Sequence, residues 1–261
     1  MPARWAFPSR QRRPPPRCRA GPPDLTQDGR FPRERLWDGR PKPTHDRRDR
    51  TGRRCTSPGR RAGRRPRFAD PGRTGNCSVR QGEHLAITPS RVPYERIDAE
   101  RVPVVDFDGE RVVGDVAPSS ETPLHAAVYD ATDAGAVVHV HSPWATTFAV
   151  FRRPVPPVHY VLALAGGTIP VTDYATYGTP ELAATVVETL TEHGVRACLL
   201  ANHGLVATGE DLEEAFAVAR AVESTAALVG RASAIGDPVA SSEGQMDAAS
   251  DRFADYGQPD A

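Results

Sequence analysis

The sequence predicts an α/β domain with one main sheet, preceded by a disordered basic arm. From Leu85 onwards, short runs rich in β-branched residues alternate with segments of helical periodicity, as in α/β domains. Residues 1–74 differ sharply, because they hold 22 of the 33 basic residues, 7 of the 33 acidic residues and half of the 26 prolines. This segment carries a net charge of +15 and lacks the apolar periodicity that a packed core needs.

We therefore place a boundary near Arg73, with the arm over residues 1–73 and one globular domain over residues 74–261. No apolar run approaches the roughly 20 residues of a membrane span, and no signal-peptide core follows the basic residues near the start. The four cysteines lack metal or redox spacing, which favours reduced thiols. We expect a cytoplasmic protein without a membrane partner.

Within the domain, we predict strands and helices in alternation. The strands are expected over residues 84–88, 102–107, 111–113, 136–141, 168–171, 197–202 and 204–207. Helices are expected over residues 125–131, 144–151, 181–192, from about 211 to 236, and 243–253. Capping hydroxyls before prolines mark three of the helix starts, at Ser120 or Thr122, at Ser142, and at Thr179.

Four residues are candidate metal ligands. His139 and His141 flank Val140 in a strand-like run, so both imidazoles project from the same face of the sheet. His203 ends another such run, and Glu121 stands at a helix start. Neutral imidazole and carboxylate suit Zn²⁺. A lone His-x-His pair is more often hydrogen-bonded or exposed, and spacing alone leaves both interpretations open.

Hydroxyls and glycine indicate a candidate anion site. Ser119 and Ser120 precede a helix, where they either cap the first turn or help to bind an anion. Gly75 and Asn76, with Ser78, could supply a second wall for the same phosphate. Each pattern alone is also common turn material.

The order of these pieces carries more information than any one of them. Seven blocks follow one another across about 130 residues: 74–80 (TGNCSVR), 87–90 (ITPS) with Pro93-Tyr94, 118–121 (PSSE) with His125, 136–143 (AVVHVHSP), 156–160 (PPVHY), 174–179 (YATYGT) and 201–205 (ANHGL). In this order they resemble the class II aldolase and adducin family.

This resemblance implies a three-layer α/β/α domain with a mainly antiparallel central sheet, assembled as a homotetramer with active sites at subunit interfaces. It also implies one Zn²⁺ per subunit, bound by His139, His141, His203 and Glu121, and a phosphorylated sugar as substrate. Glu121 would bind the metal at rest and become the acid/base when substrate displaces it. The substrate phosphate would be held by Gly75, Asn76, Ser90, Ser119 and Ser120.

Two tyrosines complete the implied catalytic set. Tyr160 would reach into the neighbouring subunit's site, and Tyr256 would close over the aldehyde end of the substrate, with a mobile tail aromatic as the alternative for Tyr256. Breaking a carbon–carbon bond beside a carbonyl leaves an enediolate, which a Lewis-acid zinc can stabilise in place of a Schiff-base lysine. The only lysine, Lys42, lies in the arm. Glu121 could shuttle the carbon-bound proton, and Tyr160 the proton of the aldehyde oxygen.

We therefore expect an aldehyde-lyase of carbohydrate metabolism that cleaves a ketose 1-phosphate, of the L-fuculose 1-phosphate type, to dihydroxyacetone phosphate and an aldehyde. The ribulose-phosphate 4-epimerase branch carries aspartate at the position of Glu121 and an acidic residue in the segment 159–161, and both positions favour the aldolase. Adducin-like binding proteins lack the zinc ligands. The arm contains no folded module or interleaved aromatics, so no specific nucleic-acid partner is expected.

The sequence departs from the family at several points. Family members begin with a helix of about 20 residues before the Gly-Asn block, whereas residues 60–71 here are too rich in proline and charge to form it. We expect that residues 1–73 are not native aldolase sequence, through a frameshift or a misassigned start; an inactive binding protein without that helix is the matching alternative. Arg91 replaces a usual glycine, and it either pairs with phosphate or blocks its approach. A domain charge of −15 without lysine resembles proteins adapted to high salt.

Overall fold

A computed structural model describes residues 75–254 of the chain. The predicted arm, residues 1–73, and Tyr256 lie outside the described residues. One sheet contains the strands β1 (Asn76–Gln81), β2 (His84–Ile87), β3 (Val104–Asp106), β4 (Arg111–Val113), β5 (Ala136–Val140), β6 (Ala197–Leu200) and β7 (Gly204–Gly209). Their spatial order is β4-β3-β2-β1-β5-β7-β6, and every pair of neighbours is antiparallel.

In the described part of the chain, five α-helices connect and cover the strands: α1 (Thr122–Ala131), α2 (Pro143–Phe151), α3 (Pro180–His193), α4 (Leu212–Ala232) and α5 (Glu243–Ala254). Short 3-10 helices lie at Tyr94–Arg96, Ala99–Arg101 and Tyr160–Ala165. Prolines occupy the first turns of α1, α2 and α3, as predicted, because their missing N–H would have no acceptor there. Within residues 75–254, none of the helices combines the length and apolar run that a membrane span requires.

Alternating side chains of the sheet build two cores. In β5, Val138 and Val140 pack with α2 and α4, whereas Val137 packs with α1 and α3. Full burial of a valine or leucine side chain stabilises the fold by about 1.5–3 kcal/mol, so the two cores fix a helix layer on each face of the sheet. The predicted three-layer α/β/α architecture with an antiparallel sheet is confirmed.

Two strand predictions fail for identifiable reasons. Residues 168–171 form no regular strand; Ile169 and Val171 make only isolated bridges, to Val155 and Leu199. Conversely, β1 was not predicted, because its core-facing side on the α1 layer is polar. There Ser78 is fully buried, and its hydroxyl is hydrogen-bonded to other polar side chains.

Candidate metal centre and active site

Strand β5 delivers two of the candidate ligands to the α1 face of the sheet. His139 follows the alternation of Val137 onto that face, and His141 lies just beyond the end of the strand. The two Nε2 atoms are 2.9 Å apart. The sequence prediction that these two rings point the same way is consistent with this geometry.

The third ring arrives from the turn between β6 and β7. Asn202 adopts a left-handed backbone conformation (φ 58°), and His203 follows it. A Cβ atom on Gly204 would lie 2.6 Å from the carbonyl oxygen of Val140 and 2.8 Å from Cδ2 of His141. Glycine therefore permits the close approach that brings His203 to the other two rings, and all three pairs of ring centroids are 4.8 Å apart.

Glu121 completes the cluster from the residue preceding α1. Its buried carboxylate places Oε2 3.2 Å from Nε2 of His139 and Oε1 3.5 Å from Nε2 of His203. The same Oε2 accepts a hydrogen bond of 2.8 Å from Nδ2 of Asn76. One ligand atom from each histidine lies within 4.8 Å of the others, so the three rings could hold a metal ion, with the carboxylate beside them.

Burial and charge fix the ionisation of the cluster. Burial lowers the pKa of His139 to about 4, with Glu121 opposing that shift and the neighbouring rings adding to it. The pKa of His203 is also lowered, chiefly by burial. Burial raises the pKa of the Glu121 carboxyl, but His139, the Asn76 amide and the other nearby rings outweigh it, and the pKa lies below its usual value. Near neutral pH the rings of His139 and His203 are therefore neutral and the carboxylate of Glu121 is ionised.

The orientation of the rings fits a metal ion. Nδ1 of His139 lies 3.0 Å from the carbonyl oxygen of Leu205 and donates its hydrogen there, which leaves the Nε2 lone pair directed at the cluster. Nδ1 of His203 is buried without a hydrogen-bond partner among the described residues. Neutral imidazoles with a carboxylate are the donor set that zinc and similar divalent metals prefer in catalytic sites.

The residues predicted to bind phosphate border this cluster. Gly75 has φ 95°, and a Cβ there would lie 2.6 Å from the carbonyl oxygen of His139. Ser119 is buried, and its Oγ accepts from the backbone N–H of Glu121 at 3.2 Å, whereas Ser120 is exposed. The N–H of Ser90 donates to the carbonyl oxygen of Ala117 at 3.0 Å. Ser90 therefore lies next to the segment that leads to Ser119. Their binding role stays a prediction.

Two other residues named in the sequence analysis, Ser78 and Tyr160, lie in different surroundings from the phosphate-binding candidates. The sequence favours Ser78 as part of the phosphate wall, but the structure turns its side chain into the core, where its hydroxyl contacts His125 and Tyr129. Tyr160 opens a 3-10 helix at the surface, with 61% of its area exposed, and its ring stacks on that of Phe253 with centroids 5.9 Å apart.

Sequence reasoning assigned no role to two buried residues near the site. His125 lies one helical turn beyond Glu121 and is bonded through both ring nitrogens. Its position four residues after the PSSE block is the sequence feature that could have indicated a role near the site. Glu223 of α4 is a buried carboxylate that accepts from the backbone N–H groups of Trp144 and Ala145 at the start of α2. Nothing in the local sequence around Glu223 indicates that partnership.

Known proteins are similar to this chain in sequence and in fold. Residues 65–229 match the family described as the class II aldolase and adducin N-terminal domain, a match that begins upstream of residue 74. An L-fuculose phosphate aldolase of Escherichia coli is 39% identical over 189 residues, which cover 71% of this chain and 86% of the relative.

A second relative is named for other sugar phosphates. The 5-methylthioribulose-1-phosphate/5-deoxyribulose-1-phosphate aldolase of Rhodospirillum rubrum is 38% identical over 188 residues, covering 71% of this chain and 84% of its own. A solved structure of an L-fuculose 1-phosphate aldolase is 37% identical with a TM-score of 0.67, and the match covers 70% of this chain and 87% of that one.

Proposed function

The chain belongs to the class II aldolase and adducin family and is a class II aldolase, and from that premise we propose a zinc-dependent cleavage of a ketose 1-phosphate to dihydroxyacetone phosphate and an aldehyde. The observation that carries the proposal is the convergence of His139, His141 and His203 on the ionised carboxylate of Glu121. Residues of this kind, close together and mostly buried, are what a catalytic metal site requires.

Each group has a chemical part in the proposal. The three histidines and Glu121 would hold Zn²⁺, which supplies Lewis-acid stabilisation of the enediolate that carbon–carbon cleavage leaves. In cleavage, Glu121 would deliver a proton to the enediolate carbon, balanced by the proton that the substrate hydroxyl loses as it becomes the aldehyde oxygen. In the reverse, condensation direction the carboxylate would accept that proton from carbon, and its lowered pKa keeps it ionised for this step.

The remaining residues bind and orient the substrate in this proposal. The phosphate lies against Gly75, Asn76, Ser90, Ser119 and Ser120, where backbone N–H groups and hydroxyls meet the start of α1. The phenols of Tyr160 and Tyr256 transfer the proton of the aldehyde oxygen and close over the aldehyde end.

We propose a cytoplasmic homotetramer in which Tyr160 serves a neighbouring subunit's site. The high exposure of Tyr160 supports this arrangement, since its phenol is available to a second chain. L-fuculose 1-phosphate is the leading substrate, because relatives with that name match this chain at 39% identity. Relatives named for 5-deoxyribulose 1-phosphate and 5-methylthioribulose 1-phosphate make these two sugars the next candidates.

The experiment is a cleavage assay on these three ketose 1-phosphates and L-ribulose 5-phosphate, with dihydroxyacetone phosphate measured as product. We expect cleavage that stops on chelation and returns with Zn²⁺. Glu121→Gln should lower kcat by about 10²–10⁴, the range for loss of a general acid/base. Glu83→Gln, the same chemical change at an exposed position in the β1–β2 turn, is the matched control and should retain wild-type rates.

Three outcomes would count against the proposal. Cleavage that survives complete metal removal would exclude the metal-dependent mechanism. Epimerisation of L-ribulose 5-phosphate without release of a three-carbon phosphate would assign the retro-aldol site to an epimerase. Failure to act on any substrate despite bound zinc would indicate a binding protein.

A further inference from the structure

A buried chain of hydrogen bonds leads from the core to the carboxylate of the candidate metal site. The hydroxyl of Tyr129 lies 2.7 Å from Oγ of Ser78, which lies 2.7 Å from Nδ1 of His125. Nε2 of His125 lies 2.5 Å from Oδ1 of Asn76, and Nδ2 of Asn76 lies 2.8 Å from Oε2 of Glu121. Tyr129, Ser78 and His125 are almost completely buried, so water does not compete for these bonds.

Only one set of donors satisfies every link of this chain. Nδ2 of Asn76 donates to Oε2 of Glu121, so the same amide faces His125 with its Oδ1, which can only accept. His125 must then donate from Nε2, and its neutral ring accepts at Nδ1 from the hydroxyl of Ser78. Ser78 in turn accepts from the phenol of Tyr129.

The protonation states of His125 and Tyr129 agree with donation from Tyr129 towards Glu121. Burial lowers the pKa of His125 to about 3, so its ring is neutral at physiological pH. Burial also raises the pKa of the Tyr129 phenol, which therefore keeps the proton that it donates. The chain is consequently polarised in one direction, from Tyr129 towards Glu121.

We propose that His125 is a positioning residue for the reaction: its Nε2–H fixes the amide of Asn76, and the amide thereby holds Oε2 of Glu121 towards His139. Turning the Asn76 amide over would place its Oδ1 against the carboxylate at about the same 2.8 Å, and two acceptors repel at that distance. His125 prevents this, since the turned amide would also set Nδ2–H against its Nε2–H.

The inference rests on the proposed function, because that proposal makes Glu121 a metal ligand and the acid/base. A purely structural role for His125 is the competing explanation, since a buried histidine with both nitrogens bonded also stabilises a core. The two explanations differ in what a donor-retaining substitution does. The amide of glutamine can place a donor near the position of Nε2, whereas leucine cannot donate.

The test measures the affinity of the full chain for Zn²⁺ alone, by competition with a chromophoric chelator. His125→Leu should weaken zinc binding about tenfold or more, the usual effect of losing a group that orients a metal ligand. His125→Gln should stay within about threefold of wild type. Val186→Ala, a truncation in α3 that packs in the same core as α1, is the control for destabilisation and should leave the zinc affinity unchanged.

The outcomes separate the two proposals. If the wild-type chain binds no zinc, the proposed function fails. If wild type binds zinc and His125→Leu binds equally well, or His125→Gln loses as much as His125→Leu, the positioning role fails. If Val186→Ala loses as much as His125→Leu, the effect is one of stability and the positioning role is again overturned.

A spectroscopic measurement on the wild-type chain decides the point even where a variant does not fold. Nitrogen-15 spectra of histidine-labelled protein should show His125 as a neutral ring with its hydrogen on Nε2, protected from exchange. A hydrogen on Nδ1 would overturn the proposal, because His125 could then not donate to Asn76.

Discussion

Replacing Glu223 by alanine removes the acceptor for the first turn of α2. The two carboxylate oxygens accept from the N–H of Trp144 at 3.0 and 3.1 Å and from the N–H of Ala145 at 2.8 Å. Within residues 75–254, the side chain of Ser142 in the usual capping position makes no capping bond, and Glu223 is the acceptor for these two donors.

The magnitude follows from the burial of these groups. Leaving the buried N–H of Ala145 without an acceptor costs about 1–3 kcal/mol, and the half-buried N–H of Trp144 costs less. Loss of the negative charge at the helix N-terminus adds up to about 1 kcal/mol. We expect Glu223→Ala to lower the free energy of unfolding by about 3 kcal/mol in total.

The assay is urea unfolding of the metal-free protein at one fixed protein concentration. With a slope of about 2 kcal/mol per molar urea, the unfolding midpoint should fall by about 1.5 M. Glu223→Gln keeps the shape and one acceptor oxygen, so it should cost about 1 kcal/mol. A Glu223→Ala midpoint within about 0.2 M of wild type would refute the reasoning, because the two N–H groups would then have found other partners.

Three further predictions follow from the site itself. Gly204→Ala places a methyl group 2.8 Å from Cδ2 of His141, so zinc affinity should fall at least tenfold in a chelator competition, and unchanged affinity would show that the turn relaxes. Burial depresses the pKa of His125 to about 3 and of His139 to about 4, from 6.5. Between these values the unfolded chain binds more protons, so the free energy of unfolding of metal-free protein should fall as pH drops from about 6.5 to 4. The fall is up to about 1.4 kcal/mol per pH unit for each ring, and His125→Gln should reduce that slope by one proton; an identical slope would contradict the assignment. Chelation should lower the thermal midpoint and added Zn²⁺ should restore it, whereas a midpoint indifferent to metal would mean that the folded chain does not bind it.

Local sequence patterns were sufficient for most of the fold and for the metal candidates. A run rich in β-branched residues predicts β5, and a proline after a hydroxyl-bearing residue predicts the starts of α2 and α3, because these signals act within a few residues. His139 and His141 share a strand face for the same local reason. The ordered motif blocks then brought Glu121 and His203, which are distant in the chain, into one predicted site.

Strand β1 and residues 168–171 show where local patterns fail. β1 presents polar side chains to a buried layer, and His125 and Tyr129 of α1 supply hydrogen-bond partners for Ser78 there. Residues 168–171 are apolar enough for a strand, but only isolated bridges connect them to residues 155 and 199. In both segments, strand pairing depends on partners from distant parts of the chain, which local sequence patterns do not indicate.

The sequence by itself determined the fold class, the family and the four residues proposed to bind the metal. Only the tertiary structure decided how those residues are held: the acceptor for α2 comes from Glu223, 78 and 79 residues away, and Glu121 is held by Asn76, 45 residues before it. Neither contact leaves a periodic trace in the sequence, because a hydrogen bond between distant segments constrains one residue on each side. Folding the sheet brings those residues within 3 Å, and only then do their donors and acceptors define the site.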